Sequence, residues 1–403
     1  MSSRARLTYV IFCLFVLLLT PVYADSSAQS QTSGSQSPAA ANPQATKPGE
    51  ESTPPAAAEP DSTRPPDQDQ GAISVPGTVG GNKVVVLKPG EKIPERKHPE
   101  YEDWGTPYVP KTMKGEERVL AKGDRATFTR ELVSVQWREM DPIDLHVIRP
   151  KGVQKPPVIL YLYGFPANNA RYKDDNFCEA LTKNGFAAVG FVSAVTGQRF
   201  HDRAGREWFV SELPEALGAT VHDVQQILNY LERRGDFDMS RIGIWANGSG
   251  AAIAIMAAAV DPRIKVLDLL NPWGDWPDWL AKSSIVPEVE RPNYLKPFFL
   301  GTVKGLDPVD WLPQLKDRQV RLEFISDGMT VTPPEVKQRI EKAAPSNVEI
   351  VHYQNAQEFA QKIDAGAGRF DWVQRQVGKL SEVREASNPA SPDKDKEKKA
   401  RQP

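Results

Sequence analysis

From Phe128 onward, short apolar runs ending in small residues alternate with longer stretches whose apolar positions recur at helical spacing. No other feature limits the fold so strongly. Segments 132–137 and 143–148 alternate apolar and polar residues, and Arg138-Glu139-Met140-Asp141-Pro142 links them, which reads as an antiparallel hairpin. Segments 157–164 and 186–192 are continuous apolar runs, the pattern of strands buried on both faces. Between them, 170–184 places Phe177, Ala180 and Leu181 at helical spacing and stops at Gly185. Segment 214–233 predicts a helix with Val221, Val224, Ile227, Leu228 and Leu231 on one face. A strand over 241–246, an alanine-rich helix over 249–259 and a strand over 264–270 follow. After a Trp- and Pro-rich insertion to about Pro313 come a strand (320–325), a helix (334–343), a strand (348–353) and a last helix containing Phe370, Val373 and Val377. The series predicts an α/β fold. Its mostly parallel, doubly wound sheet starts with an antiparallel hairpin and carries a short cap insertion.

The flanks differ in kind. Arg4 and Arg6, an apolar run over 7–19 and Val22-Tyr23-Ala24 before Asp25 form the pattern of a secretory signal peptide cleaved after Ala24. The run is short for a membrane span, which needs roughly 17–25 residues; an uncleaved anchor is the alternative. The expected location is secreted or periplasmic, with no membrane span after cleavage. Residues 25–70, rich in Ser, Pro, Ala and Gln, read as a disordered linker, and 71–127 as an irregular arm. In that arm Val84-Val85-Val86-Leu87 reads as a short strand, and Trp104 and Tyr108 suggest a segment lying on the main domain. The main domain is expected over 128–383 and a charged, disordered tail over 384–403.

Fifty basic residues against 52 acidic ones, net −2, leave no electrostatic footprint for a nucleic-acid partner. Of two cysteines, Cys13 lies in the signal segment, so a cleaved chain keeps Cys178 alone and forms no internal disulfide. That lone thiol reads as buried and inert.

Three stretches in order carry a resemblance: Leu160-Tyr161-Leu162-Tyr163-Gly164-Phe165-Pro166, Ser240-Arg241-Ile242-Gly243-Ile244-Trp245 and Val331-Thr332-Pro333-Pro334-Glu335. Together they resemble the α/β-hydrolase superfamily, particularly secreted relatives of the prolyl-oligopeptidase catalytic domain, over about 128–380. The resemblance implies a Ser/Asp/His triad, its serine on a Gly-x-Ser-x-Gly elbow between a strand and a helix. It also implies an oxyanion hole of backbone N–H groups, here those of Phe165 and Ser249.

The implied triad is degenerate. The elbow stretch is Ala246-Asn247-Gly248-Ser249-Gly250-Ala251. Family spacing from Gly243 puts Gly248 at the nucleophile position, with small residues at 246 and 250; the other register puts Ser249 there, flanked by Asn247 and Ala251. Asn247-Gly248 also reads as a turn pair that merely starts a helix. The family's acid position falls on Met329. Asp327 lies on the same loop and could substitute, although Asp327-Gly328 is also an ordinary turn pair; Asp275 follows the preceding strand, from which some relatives supply the acid. The five histidines are His98, His146, His201, His222 and His352. The base position holds Glu358, or, by a second alignment through Ala365-Gly366-Ala367-Gly368, Arg369. His352 preserves the chain order Ser249, Asp327, His352 but sits inside the last strand.

Two functions therefore stand open. One is an inactive or atypical hydrolase-fold protein that binds a small carbonyl- or carboxylate-containing ligand. The other is an active serine esterase or peptidase using Ser249, Asp327 and His352. Trp273, Trp276 and Trp279 could line an aromatic pocket or pack as a cap. Arg199, His201, Asp202, Arg203 and Arg206 could face a ligand or simply be solvated. His222-Asp223 falls on a helix, no set of residues has metal-site spacing, and no phosphate or dinucleotide loop is present. No metal or cofactor is expected, and the partner classes left are a small molecule or a peptide.

Overall fold

The alternating segments fold into one sheet of nine strands, ordered β1-β2-β3-β5-β4-β6-β7-β8-β9. The computed structural model describes residues 102–109, 115–138, 141–165, 169–196, 210, 212–326, 331–364 and 368–387. Strands β1 (Glu116–Asp124), β2 (Phe128–Gln136) and β3 (Ile143–Pro150) are antiparallel, and β3 runs antiparallel to β5 (Ala187–Gly190). From β5 the ladder is parallel through β4 (Pro157–Leu162), β6 (Asp238–Asn247), β7 (Ile264–Leu270), β8 (Gln319–Ile325) and β9 (Glu349–Tyr353). The helices are α1 (Asp175–Thr182), α2 (Leu213–Arg234), α3 (Ser249–Val260), α4 (Trp276–Lys282), α5 (Arg291–Tyr294), α6 (Pro297–Val303), α7 (Pro308–Trp311), α8 (Pro334–Ala343), α9 (Ala356–Asp364) and α10 (Asp371–Ser387). This is a sheet of α/β-hydrolase type, with the helical cap of α4 to α7 inserted after β7. In such sheets ligand crevices form at the carboxyl ends of the strands, where strand order reverses.

Side-chain alternation along the buried strands assigns the faces. Val158, Leu160 and Leu162 of β4 pack in the core containing α2 and α3, while Ile159, Tyr161 and Tyr163 face the smaller core of α1 and α10. Helix α3 has no polar face: residues 249–258 are all buried, and its alanines let it lie close against the sheet.

Two elements depart from expectation: helix α9 (Ala356–Asp364) stands between the last strand and the final helix, and the arm holds a strand. The arm carries a nine-residue strand, β1, bulged between Val119 and Ala121, whose sequence EERVLAKGD has no alternation to betray it. An edge strand exposed along most of its length needs only the backbone ladder to β2, so apolar periodicity never marks it. The Val84–Leu87 stretch, the signal segment, the linker and the tail beyond Ser387 lie outside the described residues.

The arm is joined to the domain by buried charge. Arg138, at the end of the hairpin's first strand, turns inward and is 2% exposed. Its Nε and Nη2 donate to the two Glu102 oxygens at 2.7 and 2.5 Å, and Nη1 donates to Asp223 at 2.5 Å and Asp141 at 3.4 Å. His222 Nδ1 lies 2.7 Å from Glu102 Oε1, and Nε2 lies 2.8 Å from the Thr106 carbonyl. Burial by itself would raise the Glu102 carboxyl; hydrogen bonds from His222 and Arg138, with the Arg138 charge, outweigh it and hold the pKa down to about 2.

A second charged cluster lies between the sheet and α10. Arg321 grips Asp268 through two 2.8 Å bonds and reaches Glu323 at 3.2 Å, while Tyr353 donates to Glu323 at 2.5 Å. Burial, joined by the neighbouring Glu323, moves the Asp268 pKa upward: two carboxylates share one guanidinium.

Glu102→Gln is expected to destabilise the protein by about 3 kcal/mol, because it leaves Arg138 among carboxylates without its bidentate partner. A depressed carboxyl contributes stability above its ordinary value of 4.5 and loses it as pH falls toward about 2. Urea titrations between pH 7 and pH 2 should show the variant losing less stability on acidification than the parent.

Candidate functional site

Strand β6 ends at Asn247 and α3 begins at Ser249, so a single residue, Gly248, reverses the chain. Its φ of 54° and ψ of −122° are open to glycine and strained for any residue with a Cβ. The Gly248 N–H donates to the Leu270 carbonyl at 2.9 Å, and its own carbonyl accepts from Ala251, Ala252 and Trp273. Two neighbours let the turn press on the end of β4. A Cβ on Gly250 would stand 2.1 Å from the Leu162 carbonyl oxygen, and one on Gly164 would stand 2.5 Å from the Asn247 carbonyl oxygen.

This contact places the polar groups. Asn247 Oδ1 accepts from the Gly164 N–H at 2.7 Å. Ser249 is fully buried in the first turn of α3, and its Oγ accepts from the Phe165 N–H at 2.9 Å. The structure thus unites Ser249 and Phe165, but as partners of each other. Over the apex lies Trp273, whose Nε1 would be 3.3 Å from a Cβ at Gly248. Trp273 packs against Trp279 with ring centroids 4.6 Å apart, and Trp279 meets Trp276 edge-on at 5.6 Å. All three are buried, and together they form a packed cap.

The described histidines have partners away from Ser249. His352 is exposed on β9, stacks on Phe324 and lies 3.6 Å from Glu341. His222 belongs to the arm network. His146 stacks on Tyr172, and burial, with the Lys173 and Arg130 charges, lowers its pKa to about 4. His98 and His201 lie outside the described residues, as do Asp327, Met329, Pro166 and the charged cluster from Arg199 to Arg206.

Glu358 stands in the first turn of α9 and works as a cap. Its carboxylate accepts from the Gln354 N–H at 2.6 Å, its own N–H donates to Asn355 Oδ1 at 2.9 Å, and Lys362 pairs with it at 3.0 Å. The Gln354 N–H, followed by Lys362, holds the carboxyl below its usual range. The spacing Asn355-x-x-Glu358 is a helix-start signal that sequence reading could have used. Arg369 lies over the Phe359 ring at 5.9 Å. Asp275, in the left-handed region at φ 50°, pairs with Arg339 at 3.2 Å, and burial raises its pKa. Asp307, which sequence reading missed, receives N–H bonds from Asp275, Trp276 and Val309 at 2.9–3.1 Å and fixes the start of the cap. Cys178 is buried and its thiol pKa is raised by burial. Among the described residues no group of three or more His, Cys, Asp or Glu could hold a metal ion.

No protein-family model matches the chain. It is 30% identical over 118 residues to an uncharacterized 31.7 kDa protein in the traX-finO intergenic region of Escherichia coli, a match covering 29% of this chain and 38% of that one. The match thus spans well under half of that relative. Among solved structures, the acetyl xylan esterase from Paenibacillus sp. R4 is similar with a TM-score of 0.48 at 16% identity, over 63% of this chain and 89% of that one. Acetyl xylan esterase 1 from Thermoanaerobacterium sp. JW/SL YS485 gives 0.45 at 16% identity, over 62% and 86%. The Pyrococcus horikoshii acylaminoacyl peptidase gives 0.41 at 12% identity, over 60% and 45%. None of these similarities assigns an activity to the site.

Because a Cβ at position 250 meets backbone rather than a movable side chain, Gly250→Ala should cost about 3 kcal/mol. Calorimetric melting should place it well below the parent. An equal melting temperature would mean that the turn does not press on β4 as described.

Proposed function

We propose that this protein is a non-hydrolytic member of the α/β-hydrolase fold that binds a small carbonyl- or carboxylate-containing ligand at its elbow. The observation carrying the reading is the backbone of Gly248, which occupies the apex of the strand-to-helix turn with φ 54° and ψ −122°. Acyl transfer on such a turn needs an apical nucleophile and a base within about 2.6–3.2 Å of it. Here the apex carries no side chain, the neighbouring hydroxyl accepts from a backbone amide, and Glu358 caps a helix.

Binding asks for less. The Phe165 amide meets Ser249 Oγ at 2.9 Å, and the Ser249 amide opens a twelve-residue helix, whose N-terminus carries positive partial charge. A ligand oxygen would take the place that Ser249 Oγ now holds on the Phe165 N–H. The signal-peptide pattern supports action outside the cytoplasm, with cleavage after Ala24; N-terminal sequencing of protein recovered from the native host tests this part directly.

The purified protein should take no label from a serine-directed fluorophosphonate and should not hydrolyse p-nitrophenyl acetate above the buffer rate. Labelling that disappears in Ser249→Ala would replace this reading with a serine hydrolase acting through Ser249, with Asp327 and His352 as its partners.

A further inference from the structure

Segment 102–109 touches two bodies at once. On one side it is tied to Arg138 of the hairpin and to α2: Glu102 to Arg138 and His222, the Thr106 carbonyl to His222, and the Pro107 carbonyl to Gln225 Nε2 at 2.7 Å. Gly218 of α2 comes so near that a Cβ there would stand 2.0 Å from the Trp104 carbonyl oxygen. On the other side the segment meets the cap. A Cβ on Gly305 would stand 2.4 Å from the Gly105 carbonyl oxygen, and Tyr108 packs edge-on against Trp311 at 5.8 Å.

From Gly305 the contacts run without a break to the elbow. The next residue, Leu306, accepts from Trp276 Nε1 at 2.8 Å. Trp276 meets Trp279, Trp279 packs on Trp273, and Trp273 lies over Gly248. We infer that segment 102–109 is a latch that holds the tryptophan cap shut over the elbow, and that its release lets the cap loosen at Gly248. The ion pairs with Arg138 fix one end of the latch, and the backbone-to-backbone approach at Gly305 passes that constraint to the cap. The device operates the same way whether the elbow binds or hydrolyses.

Hydrogen exchange on the full chain, read by mass spectrometry, tests it with Glu102→Gln, which acts on the latch, and Gly305→Ala, which acts on an exposed glycine of the cap. In both variants peptides covering 273–282 should exchange at least about tenfold faster, while those covering 371–380 on the opposite face keep the parent rate. A rise confined to 102–109, an equal rise in 371–380, or no change at 273–282 would overturn the latch. Should Glu102→Gln fail to fold, Tyr108→Ala carries the same test from the latch side, since this largely exposed ring packs on Trp311 of the cap, outside 273–282.

Discussion

Backbone meets backbone where the end of β4 runs under the turn from β6 into α3, and the site depends on that contact. Leu162 presents its carbonyl to Gly250, and Gly164 lies against the Asn247 carbonyl, with no room for a Cβ at either place. Side chains cannot substitute for such an approach; it needs glycine on both segments, Gly164 after β4 and Gly250 in the first turn of α3. Once made, it sets the Phe165 amide beside Ser249 and the Gly164 amide beside Asn247, at hydrogen-bond distance. The polar chemistry of the elbow is thus a consequence of how closely the end of β4 and the turn into α3 can come together.

The apex of the turn between β6 and α3 is a glycine and so carries no side chain. Gly248 tolerates its dihedral angles without strain, and Trp273 occupies the side from which a Cβ would project. The space above the turn is filled by aromatic packing that reaches from Trp273 through Trp279 to Trp276. The cap is therefore part of the site as well as a cover for the sheet.

Buried charge holds the periphery to this centre. Arg138 has carboxylates from Glu102, Asp141 and Asp223 around it, and Arg321 serves Asp268 and Glu323 on the other face of the sheet. Such clusters gain little net stability over apolar packing, yet they are severely weakened by loss of one member. Their use here is positional. The guanidinium of Arg138 has a fixed fork of donors, so the arm can dock only where Glu102 meets it bidentately.

Local pattern alone determined the order of strands from β2 to β9 and of the helices between them, because burial on one face or two imposes periods of 2 and 3.6 that survive without any knowledge of neighbours. It also placed Gly248 opposite a register that wants a nucleophile, and it left only five histidines to account for. Three things were invisible to it. β1 carries no periodicity, since an exposed edge is held by backbone bonds. Arg138, His222 and Asp223 read as a turn residue and a helix pair, because their association joins residues more than 80 positions apart. The hydroxyl of Ser249 was legible as a hydroxyl but not as the acceptor of the Phe165 N–H, 84 positions away. Tertiary structure decided these matters because each depends on which two distant segments touch, and contact at a distance leaves no mark on the residues beside it in the chain.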